Sequence, residues 1–184
     1  SYSRIGKAWL QSGEPTGDYM KKLDIFLPAA PEQEMREEID AAPYLKSFGY
    51  IKYDPEGPGM KRRTEWWSIL EVPGGIADYY RNMVEKRYGI ELCQPSWGAH
   101  VSIIRGEKPR GDLMHLWKKY DGKRVEFEYA AYPRYNGDTR VVTKHDSGAF
   151  WFLDVHCEFL TDIRKELELP YDWKLHLTIG RRWS

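Results

Sequence analysis

The chain has 184 residues, with 28 acidic and 28 basic side chains. That length supports a single domain with a real core, and the balanced charge argues against a long nucleic acid or an anionic membrane as partner. No apolar run reaches a membrane span and the N-terminus lacks a secretion-signal layout, so the chain reads as soluble and cytoplasmic.

Cys93 and Cys157 read as ordinary thiols of a reducing compartment. The 8 Trp, 13 Tyr and 6 Phe are enough to fill a core and still leave rings to stack on bases in a pocket.

In chain order, residues 1–30 are mixed, with "GEPTGD" as a loop and "KKLDIFLP" as a short strand or turn. "PEQEMREEIDAAP" predicts a helix, because it opens on Pro31 with acidic residues in its first turn, and Pro43 stops it. "SFGYIKY" alternates as a strand does. The Pro/Gly loop "DPEGPG" and the basic Lys61, Arg62 and Arg63 follow.

From Glu65 the order sharpens. "EWWSILEVP" predicts a strand closed by a turn at Pro73-Gly74-Gly75. Ile76, Tyr80, Met83, Val84 and Tyr88 then recur at helical spacing, with Gly89 placed to cap the helix. "GAHVSII" is the next strand, and "LMHLWKKY" a short helix.

"RVEFEYAAY" alternates, with Val125, Phe127 and Tyr129 on one face. Asn136-Gly137 signals a hairpin returning through "RVVTK". The earlier order then repeats. "AFWFLDVHC" is a strand, "EFLTDIRKELELP" a helix with Phe159, Leu160, Ile163 and Leu167 on one stripe, and "KLHLTIG" the closing strand. The predicted fold is therefore α+β: two pseudo-symmetric β-α-β lobes with antiparallel sheets facing a central cleft. One bilobed domain spans 1–184, with 65–184 as its core and 1–64 the N-terminal part of the first lobe.

Both units close on the same phrase. Among five histidines, His100 and His176 alone are followed by an apolar residue, a hydroxyl residue and another apolar residue: Val101-Ser102-Ile103 and Leu177-Thr178-Ile179. His145-Asp146-Ser147 shares the histidine and hydroxyl but sits in a polar turn. Residues two apart on a strand share a face, so His100 and Ser102 point together, as do His176 and Thr178. For one such motif a core histidine is the simpler reading. Two in equivalent places point to function.

Two imidazoles across a gap make an acid–base pair, because histidine titrates near working pH. The hydroxyls then donate to an anion between them, and a phosphate fits. The sequence contains no H-E-x-x-H, C-x-x-C, G-x-S-x-G or glycine-rich phosphate loop, so neither a metal nor another cofactor is expected.

These motifs over residues 65–182 resemble the two-histidine (2H) phosphoesterase superfamily, which includes 2′,3′-cyclic phosphodiesterases and 2′-5′ oligonucleotide phosphodiesterases. The resemblance implies that His100 and His176 are acid and base, and that Ser102 and Thr178 hold phosphate oxygens. "SWGAHVSIIRGEKP", "VEFEY" and the ending "LHLTIGR" are also similar to the phage anti-CBASS nucleases, which cut cyclic oligonucleotide immune messengers. That likeness implies a small nucleotide or cyclic oligonucleotide substrate, in the host cytoplasm if the protein is viral. RNA-end processing and nucleotide binding without cleavage are the rival readings.

Supporting groups follow from position. Arg105 and Arg181 each lie five residues after a histidine and are candidates to contact the phosphate, although strict alternation turns that odd offset to the outer surface unless the strand has ended. Trp97 could stack on a base at the cleft mouth, and Tyr129 could present its hydroxyl to the pocket. Trp66, Trp67 and Trp151 read as core, His115 and His156 as structural, and His145 as a surface residue.

Overall fold

The computed structural model describes residues 41–56, 63–136 and 149–182. The expected helix from Pro31, the segments before it, Lys61, Arg62, "RVVTK" and His145 lie outside these residues.

The described chain runs β1 (Tyr44–Tyr53), β2 (Trp67–Glu71), α1 (Gly74–Tyr88), β3 (His100–Arg105), a 3₁₀ turn (Gly111–Leu116), β4 (Arg124–Ala130), β5 (Arg134–Tyr135), β6 (Phe150–His156), α2 (Glu158–Glu166) and β7 (His176–Arg181). Gly74 and Gly75 begin α1 rather than closing a turn, with Pro73 as the N-cap. Gly89 caps the other end as expected: its φ of 66° is left-handed, and its N–H donates to the Glu85 carbonyl at 2.8 Å. The helix expected within "LMHLWKKY" is a 3₁₀ turn that begins two residues earlier.

The fold is α+β and its sheet is antiparallel. The expectation of two sheets facing each other needs correcting, because the strands form one sheet. β4, β1, β2, β3, β7 and β6 follow in order, and a β4–β6 pairing closes them into a six-stranded barrel. Glu128 pairs with His156, and Tyr129 with Val155, at that closure. Closure removes the free edges that an open sheet of this size would carry. β5 lies against the other end of β6, through Arg134↔Phe152 and Tyr135↔Trp151.

Alternation divides this sheet into two faces. Leu70, Val101, Leu153 and Leu177 are fully buried on one face, in the same core cluster as Tyr80 and Val84 of α1 and Leu160 and Ile163 of α2. Each such side chain contributes about 1.5–3 kcal/mol on leaving water. α1 packs against β7, and α2 against β3, so each helix lies on the strand that ends the other unit. The opposite face is polar and aromatic. It carries both motif histidines.

Candidate active site

β3 and β7 are neighbours through a single ladder pair, Val101↔Leu177. Extending that register by one residue sets His100 across from Thr178 and Ser102 across from His176. All four stand on the polar face, because Val101 and Leu177 are fully buried on the other. The histidines are thus diagonal neighbours, a relationship that separates backbones by about 7–8 Å. The gap lies between adjacent strands of one sheet, not between opposed sheets.

The two rings are held alike. His100 Nδ1 lies 2.8 Å from the Gly98 carbonyl, and His176 Nδ1 lies 3.5 Å from the Lys174 carbonyl, each two residues upstream. A carbonyl only accepts, so Nδ1 carries the proton in both rings and Nε2 is left for chemistry. Burial pushes both imidazoles below the ordinary histidine value. The charges of Arg105 and Arg181 push each of them in the same direction, and His176 does so for His100. Both rings therefore share one electrostatic space with both arginines. Asp154, paired across β6 with His176, pulls that ring back toward protonation.

The arginines overturn the alternation argument. In the first ladder Ser68 pairs with Ile104 but Ile69 with Ser102, so Ile103 is an extra residue in β3. In the second, Trp151 pairs with Gly180 and Phe152 with Thr178, which leaves Ile179 extra in β7. A bulge shifts parity by one. Arg105 and Arg181 thereby return to the histidine face, each across from an aromatic residue, Trp67 and Phe150. The guanidinium carbons lie 5.6 Å from the Trp67 ring and 5.7 Å from the Phe150 ring.

Those aromatic rings also carry the histidines. Trp67 meets His100 edge-on at 5.4 Å, and Phe150 stacks on His176 at 5.3 Å. Trp67 was expected only in the core. It is buried, but beneath the site, and its indole N–H donates to Ser102 Oγ at 3.1 Å. Sequence reasoning missed Phe150 and Phe152, which meets His176 edge-on. The signal was available, since Phe150 and Phe152 alternate on the strand before the motif.

Trp97 is half-buried, with the Lys52 ammonium 5.0 Å from its ring. Lys52 pairs with Ile69, on the polar face, so Trp97 borders that face. Tyr129 does not reach the site. It is buried on the apolar face, where its ring meets Tyr80 at 6.2 Å; burial pushes the Tyr80 hydroxyl up to about 12. His115 is exposed, and His156 is an exposed ring stacked on Tyr44 at 4.7 Å.

A hollow of about 470 Å³ opens beside α2 and includes Arg134, Asp154, His156 and Lys174 in its lining. It contains neither motif histidine. Cys93 and Cys157 are free thiols, half-buried. Among the described residues no helix is long and apolar enough to cross a membrane, and no group of three or more His, Cys, Asp or Glu is gathered as a metal site would need.

No family model, curated protein or solved structure matches the chain.

Proposed function

We propose that the chain is a metal-independent phosphodiesterase of the two-histidine (2H) type. One observation carries this reading: two histidines, each tied by Nδ1 to the carbonyl two residues upstream, share a polar face with two hydroxyls and two arginines. The matching ladders also support two related β-α-β lobes within the closed sheet. β2–β3 and β6–β7 have the same pairing order and the same bulge.

The reaction needs only proton transfer and charge stabilisation. His100 Nε2 takes the proton of the attacking hydroxyl, either the substrate's own 2′-OH or a water. The new O–P bond forms as the bond to the leaving oxygen breaks, and His176, as the imidazolium protonated on both ring nitrogens, donates its Nε2 proton to that oxygen. We assign the acid to His176 because Asp154 favours its protonated form. Ser102 and Thr178 donate to the non-bridging oxygens, and Arg105 and Arg181 offset the charge that builds there.

The substrate class we favour is a small cyclic oligonucleotide, as in anti-CBASS-like immune evasion, met in a host cytoplasm. Tyr44, Phe48 and Tyr50 alternate on β1 and face the same side as Lys52, and Tyr44 and Tyr50 are about half exposed. Such rings stack on bases without regard to sequence, which suits a ligand with more than one base.

Single His100→Ala and His176→Ala variants test the reaction. Each is expected to lose about 10²- to 10⁴-fold in turnover while still binding nucleotide. Unchanged turnover in either variant rejects the assignment. A panel of cyclic di- and trinucleotides, 2′,3′-cyclic nucleotides and linear 2′-5′ oligonucleotides, read by mass spectrometry, identifies the bond that is cut.

A further inference from the structure

At each bulge one residue has no ladder partner, and its carbonyl is taken by an arginine from a helix. Arg164 of α2 donates Nη1–H to the Ile103 carbonyl at 2.9 Å. Arg81 of α1 donates Nη1–H to the Ile179 carbonyl at 3.3 Å. The pairing is crosswise: the helix before β7 holds the bulge of β3, and the helix before β3 holds the bulge of β7.

Both guanidinium groups are anchored. Arg164 is almost fully buried, binds both Glu107 carboxylate oxygens at 2.8 and 2.7 Å, and donates Nε–H to the Pro170 carbonyl at 2.6 Å. The Trp173 ring lies 4.9 Å from its guanidinium carbon. Arg81 pairs with Asp78 one turn earlier on α1 and is more open to water.

We infer that Arg81 and Arg164 are positioning residues, which set the two bulges and so turn Arg181 and Arg105 onto the histidine face. A bulged carbonyl that lacks a partner is costly beneath a packed helix. A guanidinium supplies the missing donor, and its rigid fork fixes where the strand turns. The ladder joins β3 and β7 at one residue pair only. The crossed arginines therefore add the ties that hold the two motif strands in relation to each other.

This inference rests on the phosphodiesterase reading for its purpose, but its test does not need turnover. Arg81→Gln removes the charge at the more open of the two positions and leaves an amide too short to reach the Ile179 carbonyl, and Arg81→Lys keeps a donor of the same charge. The probes are inorganic phosphate, followed by ³¹P NMR, and the two imidazoles, titrated by ¹H NMR. His176 is faced by Arg181 on its own strand, Arg105 and His100 on β3, and Asp154 on β6; His100 is faced across β2 by Glu71.

If Arg181 swings away in Arg81→Gln, both imidazole midpoints rise and phosphate affinity falls, by up to about a hundredfold for a misplaced contact. Amides at Ile179–Arg181 exchange faster, and Arg81→Lys restores part of each effect. A folded Arg81→Gln protein with wild-type midpoints and wild-type phosphate affinity overturns the inference. Should the glutamine variant fail to fold, the lysine variant is judged on the same two readouts, with intermediate shifts expected and wild-type values overturning it. A wild-type protein that titrates as described but cuts no diester would sink the proposed reaction and leave this result standing.

Discussion

The Trp67 indole N–H donates to Ser102 Oγ at 3.1 Å, while the same ring meets His100 edge-on. The hydroxyl oxygen is engaged as an acceptor, so its own proton is free to turn toward an anion on the polar face. One buried ring thus orients the proposed donor to phosphate and supports the proposed base. In Trp67→Phe the ring stays and the N–H goes. We predict that kcat falls by roughly tenfold, as for the loss of one hydrogen bond, while Tm stays close to wild type. Steady-state kinetics beside a thermal melt checks both.

The pH dependence follows from the direction of both imidazole shifts. Each ring is held below the ordinary value of 6.5, chiefly by burial. His100, the proposed base, is lost as pH falls through its lowered folded value, and His176, the proposed acid, is lost as pH rises through its own lowered value. The kcat/KM profile is therefore predicted to be a bell whose two limbs both lie below 6.5. A limb centred above 6.5 would contradict the burial argument.

Stability should show the same groups with their own sign. Between 6.5 and the lowered folded values the unfolded chain binds more protons than the folded one. Stability therefore declines as pH drops through that window, then levels off. Glu107 adds a second, lower window. Its hydrogen bonds to Arg164 hold the carboxyl below 4.5, a contribution present above the unfolded value and lost as pH falls through the folded one. Denaturant melts of a His100→Gln/His176→Gln variant should flatten the upper window and leave the lower one.

Gly180 sits where a side chain cannot. A Cβ there would lie 2.9 Å from Leu92 Cβ. Gly180→Ala is expected to lose about 1–3 kcal/mol, the usual cost of overpacking. Leu92→Ala keeps that Cβ but removes the Cδ1 that would lie 3.0 Å away, so adding it should recover part of the loss, read as a shift in the urea midpoint.

Leu177 is fully buried and forms the sole ladder pair between the motif strands, with Val101. Leu177→Ala should cost about 2–5 kcal/mol. The surviving folded protein should also lose activity beyond what its folded fraction explains, because the strands that carry the two histidines would separate. Activity corrected for folded fraction decides this.

Much of the molecule was legible along the chain. Strands β1 to β4, β6 and β7 and helices α1 and α2 were readable, and so was the pairing of each histidine with a hydroxyl. All of these depend on residues within a few positions of one another, where the periods of strand and helix govern what shares a face. The Gly89 cap is legible for the same reason, since a helix end is a local event.

The faces of Arg105, Arg181 and Tyr129 were not legible. Strict alternation sent the arginines to the wrong side, because an unpaired Ile103 or Ile179 can be seen only against the partner strand. Tyr129 could be assigned to the apolar set of its own strand. That this set turns away from the histidines is decided by the pairing of β4 with β1 and β6. The sequence by itself determined which groups could do acid–base chemistry and which strands carry them. Tertiary structure alone decided the closed sheet, the two bulges and the crossed arginines that hold them, because each depends on contacts between residues far apart in the chain, which no local period encodes.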